Sequence, residues 1–534
     1  MTKFPRLVGF MSLTIHIRGL FEKIRKTNPY IFLLLLCAFL YLPSSLARDP
    51  LAPDEIRNIY IAQNMEEFND FLFPKYYDET YYEKPPLYFW ILKVLILPGR
   101  NYTLFLTTLF NVFVAWGILS LNYTLLKKRA SALTAMVSCI VLATTAIFLG
   151  MSVLIRMDLL FVFFIYLSLF FFIRAIEEED TYCLLFSGIF SFLAVFTKGA
   201  LGIIFPIVIE SAMAVVLLLR QRRGIFEDRG ITPQQVISFS ALANALAIVL
   251  VFAWITFFAS KDPLYFSKMF FEQTYSRGLN PSNHTQPFFY YIPVFFLLFL
   301  PWSLVGSGYF LIKNKNSRPL WETFFLVWFI GGLVVLSLIR SKLPMYLLSL
   351  TIPFSGLTAK FILSEKKKTR RALFIISVFF FFFTWAAGFV YAVTQKIGIP
   401  LFAYFTIPLF VAMAWAVIVF PKEQVRVFCI FWIIFIQALN IFCLSVVSNS
   451  SKYKRIVNII NESTLPFDSI IVTEKKLMFL NAYPLKKPIE YVSSIEKVCR
   501  SNSFMLITRH DQFPCELEKI IKIKKFSLMY KNHD

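Results

Sequence analysis

From residue 29 to residue 448 the chain alternates between apolar runs of about twenty residues and short polar breaks. A helix of ~20 residues crosses the ~30 Å hydrocarbon layer of a bilayer, so each run is long enough to be one span. About thirteen can be laid out, at 29–47, 86–126, 130–150, 158–175, 181–197, 201–219, 235–259, 288–312, 320–339, 344–363, 372–394, 400–420 and 427–448. The second is the least regular. Its piece at 86–99 leads into 102–126, and the whole reads as one span entered by a tilted or interfacial segment. Beyond 449 the pattern changes: DSIIVTE (468–474) and SFMLITR (503–509) read as strands and EYVSSIEKVCR as a helix. These predict a small α/β domain over 450–534.

Composition agrees with the pattern. The 534 residues are 57% hydrophobic, 18% aromatic and only 16% charged, with a mean hydropathy of +0.65. The expected fold class is an all-α polytopic membrane protein with a small C-terminal α/β domain. A net charge of +22 would suit nucleic acid if it covered one face. Here it lies in short clusters between apolar runs, which excludes that partner and marks cytoplasmic loops.

With the N-terminus (1–28) inside, the predicted inner segments carry Lys23, Arg25 and Lys26, then Lys127-Lys128-Arg129, Arg220, Arg222 and Arg223, Lys313 and Lys315, Lys366-Lys367-Lys368, and Lys422 with Arg426. Only EEED at 177–180 breaks the rule. An odd number of spans over 29–449 leaves the first long loop, 48–86, and the domain at 450–534 outside. Ser45-Leu46-Ala47 resembles a cleavage site, but the run before it is long for a signal peptide, so the first span is expected to stay as a signal anchor. The seven cysteines show no CxxC spacing. Cys499 and Cys515, in the outer domain, are either a disulfide or two buried thiols.

The outer face should be poor in cations, so those it carries are informative: Arg57, Lys84, Arg156, Lys198, Lys268, Arg277, Arg340 and Lys342. Several fall near bilayer depth, where an ionisable group costs a few kcal/mol without a partner or a watery cavity. Cations converging from separate loops suit a phosphate or pyrophosphate on a lipid; alternatively each pairs with a structural carboxylate. Acids lie at the same edge: Asp54, Glu55, Glu83 and Asp158. Asp54 precedes EIRNIYIAQNM, a predicted interfacial helix, and is either its N-cap or a reactive carboxylate held rigidly there. Asp158 opens a span, where an acid complements the helix dipole. His284, one of four histidines, sits in an outer loop and could join Glu83 at a divalent metal.

The ordered set PDE, YYEKPPLYFW, LIRMD, FTKGALG, HTQPFFYYIPVFFLLFLPW and SKLPMYLLSL resembles the bacterial ArnT and PMT-like membrane glycosyltransferases of the GT-C class. The likeness covers about residues 30–360, and the span count with an outer C-terminal domain resembles the ArnT branch. It implies an inverting transferase that moves a sugar from a polyprenyl phosphate to an acceptor at the outer face of the bacterial inner membrane. It also implies roles: Asp54 as the catalytic base; Glu83 and His284 as contacts to a metal such as zinc, magnesium or manganese; Lys84 as a phosphate contact. Arg57, Asp158, Arg277, Lys342 and Tyr346 match further substrate-binding positions of the cavity. Phe288 stands where the family histidine motif has Trp, a departure from the pattern.

The chemistry asks for these residue types. A hydroxyl attacking an anomeric carbon needs a base, and a lipid phosphate leaving group needs cations on its oxygens. The expected reaction transfers 4-amino-4-deoxy-L-arabinose or a related aminosugar from undecaprenyl phosphate to lipid A. The alternative keeps the chemistry and changes the acceptor to Ser/Thr of secreted proteins or another glycan. A flippase for the same lipid-linked sugar would need two related halves with broken helices. No internal repeat is visible in the sequence.

Overall fold

The computed structural model describes residues 28–46, 48–51, 53–76, 79–99, 102–222, 231–269, 285–311 and 318–364, single positions between 383 and 437, and 452–463, 469–472, 489–492, 504–508, 517–523 and 526–531. The expected spans at 372–394, 400–420 and 427–448 lie, single positions apart, outside the described residues.

Helix α1 (Pro29–Tyr41) runs on as a 3-10 turn to Leu46, and the first outer loop then folds as a short helix α2 (Asp54–Gln63). Helix α3 (Leu87–Ile96) has only 10 residues, too few to cross the bilayer, and leads into the 27-residue α4 (Thr103–Arg129). The expected span at 86–126 is thus one crossing helix entered by a short apolar one. Next come α5 (Ala132–Ala143), α6 (Ala146–Val153), α7 (Asp158–Glu178), α8 (Thr181–Lys198), α9 (Leu201–Arg222) and α10 (Pro233–Lys261). The series continues with α11 (Tyr291–Leu298), α12 (Trp302–Gly306), α13 (Leu320–Leu338) and α14 (Thr351–Ser364). Among the described residues 8 helices are long and apolar enough to cross a membrane, or up to 10 with two bent pairs. The protein is a multi-pass membrane protein.

Two runs laid out as single spans are bent. The helices of 130–150 turn by 64° between Ala143 and Ala146, and those of 288–312 by 112° around Pro301. Proline has no N–H to give and crowds the preceding turn, so a bend at 301 is expected of its chemistry. The two bends hydrogen-bond to each other. Ala146 N–H donates to the Leu300 carbonyl at 3.3 Å, and the Trp302 indole donates to Thr144 Oγ1 at 3.0 Å. Reciprocal satisfaction of this kind is what lets broken helices exist in an apolar medium.

The C-terminal strands β3 (Ser469–Val472), β4 (Ile489–Tyr491), β5 (Phe504–Thr508), β6 (Glu518–Ile523) and β7 (Phe526–Lys531) form one mixed sheet in the order β4-β3-β5-β7-β6. A two-stranded ribbon in the first loop, β1 (Lys75–Tyr76) with β2 (Glu79–Thr80), precedes them in the chain. Helix α15 (Lys452–Glu462) accompanies the sheet and buries Ile456, Val457 and Ile460. The α/β character expected of this region is present. The helix expected from EYVSSIEKVCR is corrected in part: Glu490 and Tyr491 pair in parallel with Ile471 and Val472, because β3 offers its edge to them. Cys499 and Cys515 lie outside the described residues.

Candidate active site

Helix α2 is built by its own sequence. Asp54 and Glu55 fill the first turn, where acids complement the dipole, and Ile56, Ile59 and Tyr60 form a buried stripe at helical spacing. Pro53, not Asp54, occupies the N-cap, and no side chain caps the helix. Asp54 is therefore free of the N-cap role. Its Oδ1 accepts from Arg57 at 2.9 Å, its Oδ2 accepts from Arg156, and its side chain is 34% exposed.

The neighbouring Glu55 does something else. Its carboxylate takes both guanidinium branches of Arg48 at 2.6 and 2.8 Å. It also takes the backbone N–H of Leu51 and of Ile155, each at 2.5 Å. Arg48 donates in addition to the Val153 carbonyl at 2.5 Å. Asn58 on α2 and Asn111 on α4 donate to the carbonyls of Ile155 (3.1 Å) and Leu154 (2.9 Å). The turn between α6 and α7 is thus held on nearly every backbone group by side chains of the first outer loop and of α4. The buried pair acts as a clamp, with side chains 0% and 3% exposed, and it sets Arg156 against Asp54.

From there the charges alternate. Arg156 bridges Asp54 and Asp158, the latter at 3.1 Å, and Asp158 accepts from Lys198 at 2.5 Å. Lys198 stands at the end of α8, where a cation complements the dipole. Gly199 follows it at φ 109°, a left-handed value that favours glycine, and its N–H closes the helix on Val195. The Lys198 ammonium lies 4.9 Å from the centre of the Tyr346 ring and 5.3 Å from that of Phe161. On the other side, Arg57 lies over the Tyr81 ring at 5.8 Å, and the Tyr81 hydroxyl reaches Glu83 Oε2 at 3.5 Å. The Arg57 Nε is buried and makes no hydrogen bond.

The loop after residue 284 returns to the same region. Thr285 pairs with Ser341 in an isolated antiparallel bridge, and Gln286 N–H donates to the Arg340 carbonyl at 3.4 Å. The Tyr291 hydroxyl reaches the Leu343 carbonyl at 3.3 Å. Next to this bridge Lys342 is buried and donates to the Ile339 carbonyl at 2.5 Å. Burial holds its ammonium below the usual lysine range.

Of the expected site residues, one continuous network therefore joins Asp54, Arg57, Asp158 and Tyr346, with Glu83 reached through Tyr81. Lys342 lies four residues from Tyr346, on the segment that carries it, and Lys84 follows Glu83 in the chain. Arg277 and His284 lie outside the described residues. Asp158, expected at a substrate-binding position, is 1% exposed, and its two oxygens accept from Arg156 and Lys198. The sequence placed Arg156 and Lys198 among the outer cations suited to a lipid phosphate, not as partners of Asp54 and Asp158, and it gave no role to Arg48. The signal available for Arg156 and Lys198 was their misfit with the charge rule, and Arg48 offered none. Among the described residues no three His, Cys, Asp or Glu side chains gather where a metal ion could sit.

Known proteins resemble the chain in sequence and in fold. Residues 29–266 match the family model described as dolichyl-phosphate-mannose-protein mannosyltransferase. An undecaprenyl phosphate-alpha-4-amino-4-deoxy-L-arabinose arabinosyl transferase from Photorhabdus laumondii is 25% identical over 325 residues, 58% of this chain and 55% of that protein. The protein of the same description from Yersinia pestis is 24% identical over 321 residues, 58% of this chain and 54% of its own. The chain spans about half the length of the curated relatives it matches. The crystal structure of ArnT from Cupriavidus metallidurans bound to undecaprenyl phosphate superposes with a TM-score of 0.72 at 16% identity, covering 94% of this chain and 97% of that one. The apo form of the same protein gives 0.69 at 14% identity, covering 98% of each. In fold the chain is similar to ArnT, and over residues 29–266 it is similar to the mannosyltransferase family model.

Proposed function

We propose that the protein is an inverting glycosyltransferase that moves a sugar from undecaprenyl phosphate to lipid A at the periplasmic face of a bacterial inner membrane. The sugar we favour is 4-amino-4-deoxy-L-arabinose or a close aminosugar, by analogy with the relatives' descriptions. One observation carries the reading: a partly open carboxylate, Asp54, is held between two guanidiniums in a network to which four separate segments of the chain contribute.

Asp54 has the geometry of a base. A carboxylate offers about four lone-pair positions, and Arg57 and Arg156 take one on each oxygen, leaving one on each for an incoming hydroxyl. As the acceptor oxygen bonds to the anomeric carbon, its proton passes to Asp54 and the bond from that carbon to the phosphate oxygen breaks. The electron pair leaves with the lipid phosphate. Arg57, Lys84, Lys342 and Arg277 are the cations for that developing charge. Asp158 and Lys198 position Arg156, and Tyr346 packs on Lys198.

Glu83 and His284 would hold a divalent cation. A carboxylate with an imidazole suits zinc or manganese, and Glu83 is present beside Tyr81 in the first loop. Such an ion would supply further positive charge to the phosphate. Chelation is expected to abolish turnover and to release about one metal equivalent per chain, and added zinc or manganese to restore it. Full activity in a metal-free preparation would remove the ion from the reaction.

The acceptor is tested by mass spectrometry of lipid A from cells with and without the protein. The expected result is one aminosugar mass added only when the protein is present. An unchanged lipid A profile together with newly glycosylated secreted proteins would transfer the reading to a protein O-glycosyltransferase.

A further inference from the structure

At the end of α2 away from Asp54, a cleft of about 370 Å³ opens between that helix and α3, lined by Tyr60, Gln63, Asn64, Glu66, Lys93 and Leu97. The volume is near the lower end of ligand pockets, about 300 to 1,000 Å³, and suits a small polar group. Lys93 and Glu66 bring opposite charges to this one space. Lys93 Nζ donates to the Gln63 carbonyl at 3.1 Å, which leaves two of its three N–H groups unused. Among the described residues neither charge pairs with the other or with a third group. The nearby Asp70 is already taken by Lys75 at 2.8 Å.

The cleft has an apolar border. Val94 on α3 and Leu97 at its C-cap are 64% and 68% exposed, as side chains facing lipid are. Gly99 closes α3 at φ 117°, and a Cβ added there would meet nothing within 4 Å, so this side is open. A ligand for such a place has an anion for Lys93, a hydrogen-bonding cation for Glu66 and hydrocarbon for Val94 and Leu97.

We propose that this cleft binds the headgroup of a bilayer phospholipid carrying a primary ammonium, a phosphoethanolamine, with its phosphate on Lys93 and its ammonium on Glu66. An anionic glycerol headgroup would leave Glu66 without a partner and facing a like charge. A choline headgroup has no N–H to give it. The inference requires only that the chain spans a membrane, and it stands apart from the sugar-transfer reading.

The test is native mass spectrometry of the full-length protein, delipidated in detergent and titrated with phosphatidylethanolamine, phosphatidylglycerol, phosphatidylcholine or soluble phosphoethanolamine. Phosphatidylethanolamine is expected to bind roughly fivefold better than the other two lipids, the scale of one partly exposed ion pair. Glu66→Gln is expected to erase that preference. Lys93→Gln should weaken binding, while Lys93→Arg should keep it. Equal retention of all three lipids, or a preference untouched by Glu66→Gln, would overturn the proposal. Soluble phosphoethanolamine binding as well as the lipid would overturn the assignment to a bilayer lipid. Thermal melting of each variant separates loss of the site from loss of the fold.

Discussion

Asp54→Asn is expected to reduce turnover by about 10²- to 10⁴-fold, the range for losing a positioned general base, and to leave stability close to wild type. The amide keeps the shape of the carboxylate and one oxygen for Arg57 or Arg156, but it cannot take the acceptor proton. The side chain is 34% exposed, so little buried structure depends on its charge. The loss should fall on kcat, with KM for the donor changing much less, because the donor phosphate is held by cations rather than by Asp54. The measurement is transfer in proteoliposomes supplied with polyprenyl-phosphate sugar and acceptor. Turnover near the wild-type rate would show that the proton goes elsewhere.

Glu55→Ala, one residue along, is expected to behave in the opposite way and to cost about 3–5 kcal/mol of stability, as breaking one side of a buried ion pair does. It strips four hydrogen bonds at once and leaves the Arg48 guanidinium in a dry interior. The turn at 153–156 then loses its grip on α2 and Arg156 drifts from Asp54, so activity falls together with the melting temperature. Removing both charges, as Arg48→Met with Glu55→Leu, should recover part of the stability, since an apolar pair of similar size has no desolvation cost. Thermal unfolding of the purified protein in detergent reads both effects. A melting temperature unchanged in Glu55→Ala would mean that the clamp does not hold the turn.

The contrast between two adjacent acids shows how much of the site could be read from the letters PDE. Sequence reasoning placed both at the membrane edge and proposed a reactive role for Asp54 from its resemblance to a family. It could not separate them, because the difference lies in partners far along the chain. Glu55 meets Ile155, and Asp54 meets Arg156, 102 residues away. Asp158 shows the converse. Its position at a helix start was legible, but its two cations arrive from the preceding turn and from the end of α8, and each takes one of its oxygens.

Membrane spans were legible for a physical reason: the thickness of hydrocarbon sets a length that each segment must meet alone. The run boundaries, the charge clusters between them and the change of pattern after residue 449 are all local quantities of that kind. The bends at Ala143–Ala146 and near Pro301 were not, since the two broken helices meet each other through one backbone and one side-chain hydrogen bond. Nor was the chain of charges from Arg57 to Lys198, whose existence depends on distances between loops. Local chemistry decides which segments enter the bilayer; which polar side chains then meet is decided by packing, because a buried charge is stable only where the fold delivers its partner.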